Sequence, residues 1–389
     1  MFVLLCALAH AEESVRVNAD VKTFFLATEP LEHLFFPEGA YGQGFVDGRL
    51  KIRMTPSEIF RIELHHAITA GTALPQTRMQ QEMREKGFEW SEGETSSMGM
   101  GQTGVGLQAP EAVDLSWTAF DEQDLFLQGR TDRAFVQASM GQTDLRVGRQ
   151  AVSFGHGMFF NPLDLVQPFS FATIDSEYKA GIDAVRLDQY IGMTTQMTAV
   201  VAYAGEWDRR GMIAAAHAKT TIAWTDLSLF YGMVRGDHVL GSGFSSSIAA
   251  IGIHGDISYT LPEESLDEEP FVRADIGALW QPWLNSTLNA EFYVQSLGAS
   301  NSTDYLNLVN SERMARGEIW LMARSYASLS WGQQVGDLTT ASLASIVNCT
   351  DGSFLLMPSL AVSVSDEVAM VAGAYVGVGE EPTAIELQD

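Results

Sequence analysis

His254, Asp256 and Ser258 carry the residue types of an acyl-transfer site, spaced two apart along one alternating segment. On a strand, that spacing puts all three on one face. It is also the spacing of side chains that line an enclosed interior, which is the commoner setting for i, i+2 polar residues on a strand. His65 and His66 are the one adjacent histidine pair, but neighbours on a strand point to opposite faces, which separates them as metal ligands. Gly101-Gln102-Thr103-Gly104-Val105-Gly106 is glycine-rich yet lacks the strand-to-helix setting of a phosphate loop. No H-E-x-x-H motif, Walker loop or cysteine cluster occurs, so no catalytic site, metal site or cofactor is assigned and the chain is not read as an enzyme.

What remains as candidate chemistry is charge. The chain has 389 residues, with 23 Lys and Arg against 49 Asp and Glu, for a formal net charge of −26. That balance argues against a nucleic-acid partner. The bases nevertheless cluster in alternating segments, whereas acids collect in segments such as 263–269 (EESLDEE) and the tail 380–386. Leu50, Ile52 and Met54 alternate with Arg49, Lys51 and Arg53, and Phe60, Ile62 and Leu64 with Arg61 and Glu63. Arg133, Arg186 with Asp188, Lys219, Arg273 with Asp275, Glu291 and Arg324 stand likewise on the polar parity of later segments. Arg49, Lys51, Arg53, Arg61, Glu63, Arg133, Arg186, Asp188, Lys219, Arg273, Asp275, Glu291 and Arg324 are therefore the candidate pore-lining residues. A lumen ringed by Lys and Arg favours anions. The bland counterpart is a set of wall ion pairs, which Arg186/Asp188 and Arg273/Asp275 invite.

These side chains need strands to hold them. Period-two alternation recurs from Val15-Val17-Ala19-Val21 to the last third, where Leu288, Ala290, Phe292 and Val294 oppose Asn289, Glu291, Tyr293 and Gln295. About 16 strands, between roughly 14 and 18, fit the sequence, many of them near the 9–11 residues of a tilted membrane-crossing strand. Tyr203, Trp224, Tyr231, Tyr259, Trp280, Trp283, Trp320 and Trp331 fall mostly near strand ends, where interfacial girdles belong. The expected fold is all-β: one transmembrane, antiparallel, up-and-down β-barrel with the greasy parity toward lipid. Only helices and closed barrels satisfy their backbone in a bilayer.

Residues 1–11 read as a secretory signal peptide ending in the A-x-A pattern Ala9-His10-Ala11, truncated at its start because no basic n-region precedes the apolar run. Residues 12–389 then form the barrel, with a single cysteine, Cys349, and no internal disulfide. The long insert at 72–111 is expected to be a surface loop or a plug. Residues 145–169 pass from a strand through Gly155-His156-Gly157 into an aromatic, proline-bearing loop. The apolar parity slips between Val147 and Val152, which predicts a β-bulge near 148–150.

Gly148-Arg149-Gln150, Gly155-His156-Gly157 and Phe160-Asn161-Pro162-Leu163-Asp164 together resemble the signature of large porin-like outer-membrane barrels of Gram-negative bacteria. These include the alginate-export-like group and related barrels of unassigned role. Asp132-Arg133-Ala134-Phe135 upstream and Gly181-Ile182-Asp183-Ala184-Val185-Arg186 downstream resemble the same pattern. The resemblance implies that residues 156–180 fold into or over the pore as a constriction, anchored by an Arg149–Asp164 ion pair. One departure is the C-terminal AIELQD, which lacks the aromatic residue typical of barrel-assembly signals. Function is expected to be a channel for small, anionic solutes or polysaccharide, located in the outer membrane, with its lipids and these solutes as partners. The alternative is a non-conducting barrel that anchors envelope protein partners, with 72–111 as the contact.

Overall fold

The structure is a computed structural model that describes residues 14–28, 41–72, 110–121, 125–166, 178–263, 268–305, 308, 311, 313, 318–319 and 321–379. Residues 1–11, read above as a signal peptide, most of the 72–111 insert, the C-terminal tail, Trp320 and part of the 156–180 loop lie outside the described residues.

The chain begins with β1 (Val15–Thr28), β2 (Tyr41–Met54), β3 (Phe60–Thr72), β4 (Ser116–Asp121) and β5 (Leu125–Met140). It continues through β6 (Thr143–Gln150), β7 (Ile182–Ile191), β8 (Thr195–Tyr203), β9 (Met212–Ile222) and β10 (Thr225–Val234). Next come β11 (Asp237–Ile248), β12 (Ile251–Leu261), β13 (Phe271–Trp280), β14 (Ser286–Gln295) and β15 (Ser325–Gln334). The last are β16 (Thr339–Asn348), β17 (Phe354–Ser365), β18 (Val368–Gly373) and β19 (Val376–Val378).

All nineteen belong to one antiparallel up-and-down sheet. β4 pairs with the stretch of β5 that extends past β6, and β18 and β19 share the far edge of β17, so the strands occupy seventeen lanes. Among the described residues no ladder joins β1 to β18 or β19, so the wall has a seam rather than a completed ring.

Alternation explains the wall. Val136, Val147, Val185, Leu187, Val201, Leu229, Ile257, Ile276, Phe292 and Leu329 are exposed on one parity. Gln137, Asp188, Thr198, Ser228, Asp256, Ser258, Asp275, Asn289, Glu291 and Ser328 are buried on the other. An apolar exterior around a polar interior is the inverse of a water-soluble sandwich, whose apolar faces meet each other. Turns at 141–142, 192–194, 223–224 and 249–250 close one end, and the long connections after β3, β6 and β14 leave from the other.

The predicted bulge is displaced. β6 keeps an unbroken register with β5 and β7, and the irregularity lies in β5, where Asp132 is skipped between the pairs His65–Arg133 and His66–Thr131. Val152 and Phe154 change parity because they have left the sheet. Gly148 marks the departure at φ 120°, where a Cβ would stand 2.2 Å from the Ala134 carbonyl oxygen.

Candidate functional site: an inner loop seated on the wall

After β6 the chain turns into the interior. Val152, Phe154, Leu163, Leu165 and Val166 pack on the inward residues Ile182, Val200, Ala202, Ile213, Phe230 and Val239 of β7–β11. This apolar bed has a sequence signal: residues 199–202 and 213–216 are apolar on both parities, as strands covered on both faces are. Asn161 braces the turn, donating from Nδ2 to the Phe154 carbonyl (2.8 Å) and accepting the Leu163 N–H at Oδ1 (3.1 Å).

The loop then crosses to β12–β14, where two wall carboxylates receive it. Asp256 accepts the backbone N–H groups of His156 and Gly157 (the latter at 3.1 Å), and its Oδ1 lies 2.9 Å from His156 Nδ1. Glu291 accepts those of Met158 (2.9 Å), Phe159 (2.9 Å) and Phe160 (3.1 Å). Successive N–H groups aimed at one oxygen pair form the kind of concavity that binds anions, and here the anions belong to the wall. Phe160 stacks on Tyr293 with centroids 5.2 Å apart and also faces Tyr326. Only glycine fits at 157, where a Cβ would lie 1.7 Å from the Phe160 carbonyl oxygen. A cavity of about 220 Å³ remains between the loop and the wall, with Phe159, Arg273, Tyr293, Gln295 and Leu321 in its lining.

A second group of inward charges, a basic arc, stands on β2–β9. Arg49 is buried, 3.0 Å from Asp132 and 3.6 Å from Asp47, with its guanidinium 3.8 Å from the Tyr178 ring centroid. Lys51 pairs with Asp20 (2.7 Å), and Arg53 and Arg61 share Glu63. Arg133 donates to the Asp132 and Lys179 carbonyls. Arg146 donates to Gln137 (2.9 Å), Arg186 pairs with Asp188 (2.8 Å) and Lys219 with Asp226 (3.2 Å). Three of its bases keep contact with solvent, with side-chain exposures of 47% for Arg53, 41% for Lys219 and 35% for Arg61, whereas Arg49 is at 5% and Asp256 and Glu291 at 0%.

Four expectations need correction or placement. Arg149 and Asp164 do not form one anchor. Arg149 pairs with Asp183 and Glu111 (both 2.9 Å) and donates to the Thr131 and Val113 carbonyls, whereas Asp164 pairs with Lys179. Burial, outweighing the Asp164 carboxylate, pulls the Lys179 ammonium below the usual lysine range. Arg273 and Asp275 do not pair as Arg186 and Asp188 do. Arg273 lies over the Phe271 ring at 5.7 Å, while Asp275 Oδ2 sits 3.3 Å from where a Gly157 Cβ would be. Arg324 is exposed just before β15, outside the cluster. His254 approaches Glu291 (3.3 Å), and Asp256 gives both oxygens to the loop, so His254, Asp256 and Ser258 do not act as a unit.

Asp256 and Glu291 as loop receptors could not be found from spacing, because their partners are backbone amides about a hundred residues or more away in sequence. His65 turns toward Glu63 (3.1 Å), and His66 lies beside Thr131 and Trp117.

No family model and no curated protein matches this sequence. Solved structures do match in shape. A BenF-like porin from Pseudomonas fluorescens Pf-5 superposes with a TM-score of 0.57 at 10% identity, over 94% of each chain. Pseudomonas aeruginosa OpdK, solved with vanillate, gives 0.55 at 9% identity, again over 94% of each chain. Acinetobacter baumannii OccAB4 gives 0.54 at 7% identity, over 94% of this chain and 93% of that one. The chain has a porin-like fold.

Proposed function

We propose that the chain is an outer-membrane channel of a Gram-negative bacterium that passes small, anionic solutes, with residues 151–166 narrowing its lumen. The observation that carries this is the contrast inside the wall: solvent-reachable bases on one arc, and carboxylates withdrawn under the loop on the other. A solute in the lumen meets Arg53, Arg61, Arg186 and Lys219 before it meets Asp256 or Glu291, and rings of cationic side chains lower the barrier for anions. The apolar exterior supports a bilayer setting, and the vanillate of the OpdK structure, an organic anion, supports small solutes as the class. The signal-like start of the sequence supports export. Purified protein inserted into planar lipid bilayers should give steady single-channel currents with a reversal potential on the anion side under a KCl gradient. A silent barrel would sink the proposal and favour the anchoring role.

A further inference from the structure

Five consecutive backbone N–H groups, from His156 to Phe160, are committed to two wall carboxylates, and a third carboxylate, Asp275, is buried beneath the same turn. The inner faces of β12, β13 and β14 bring the three together. Asp256 and Asp275 are direct cross-strand partners, and Glu291 sits one inward position along from Tyr293, the partner of Asp275. Like charges placed so close oppose one another. Facing open water in a lumen, such a patch would attract cations. In the seated state, no part of the Asp256 or Glu291 side chain reaches solvent.

We infer that the seated loop sets the sign of the channel's selectivity as well as its width. Its amides cover an acidic patch that would otherwise offset the basic arc. The inference rests on the channel proposal and extends it: Asp256 and Glu291 are positioning residues, and the loop backbone is the element that removes them from the solute path. With the loop seated, the lumen presents the bases of the arc. With the loop released, it presents three further carboxylates to the same lumen, and anion preference falls.

Two ways of unseating the loop separate charge from width. Gly157→Val forces a Cβ into the Phe160 carbonyl and leaves every wall carboxylate in place. The double variant Asp256→Asn/Glu291→Gln removes the charge-assisted bonds and the charges together. Both should raise single-channel conductance in KCl and lose hydrogen-exchange protection at the 156–160 amides. In a KCl gradient the reversal potential of Gly157→Val should shift to the cation side, whereas that of the double variant should stay on the anion side. Retained strand-amide protection identifies folded preparations. Unchanged conductance in both variants, or a shift of both potentials in the same direction, overturns the inference. A wild-type protein that carries no current defeats the channel proposal instead, so the two failures are distinct.

Discussion

The two inner faces of the wall handle buried charge in opposite ways. On β2–β9, side chain answers side chain: Lys51 with Asp20, Arg61 with Glu63, Arg186 with Asp188, Lys219 with Asp226. Each pair is local, formed within a strand or between adjacent lanes, and most of the bases keep part of their surface in solvent. On β12–β14 the wall offers Glu291 the His254 ring (3.3 Å) and the Asn289 amide (3.2 Å), and backbone amides from a distant loop supply the other partners of Glu291 and bind Asp256. The first arrangement would stand if the loop were cut away. The second exists only because the loop is there, which makes the acidic face the place where loop position and lumen charge are the same variable.

Three substitutions separate the two faces experimentally. The largest effect is expected at the root of the loop. Arg149 is 1% exposed and pairs with both Asp183 and Glu111, so Arg149→Ala strands two carboxylates in a desolvated site. Removing one partner of a buried pair costs about 3–5 kcal/mol, and the urea unfolding midpoint in detergent should fall accordingly. A change under 1 kcal/mol would mean that water reaches the site.

An intermediate effect is expected on the acidic face. Glu291→Gln keeps the shape and removes the charge that three loop amides share, and bonds to charged groups contribute about 1.5–3 kcal/mol. Exchange at the Met158, Phe159 and Phe160 amides should accelerate while strand amides stay protected, because the loop opens locally. Acceleration spread evenly over the sheet would place the role of Glu291 in the wall instead.

The smallest stability effect belongs to the basic arc. Arg61→Gln removes a half-exposed base from a Glu63 site that Arg53 still serves, so the loss should stay under about 1 kcal/mol. Anion preference in the bilayer should fall even so. A large stability loss without a selectivity change would make the arc structural rather than functional.

Much of this molecule was legible in its residues, for a definite reason. A strand has a two-residue period, so a greasy parity against a charged parity gives the sheet and its two faces. Arg186 and Asp188 could be paired by inspection because they stand two apart on one strand. The same spacing misled at Arg273 and Asp275, where a loop over one and an aromatic ring under the other keep them apart. It misled again at Arg149 and Asp164, which meet other partners.

What the sequence determined alone is whatever depends on neighbours along a strand: the all-β wall, its apolar exterior and the inward bases. Only the tertiary structure decided where residues 151–166 rest and which carboxylates receive them. Backbone amides carry no sequence label, so nothing in the order of residues distinguishes the N–H of Phe159 from any other until the fold sets it against Glu291.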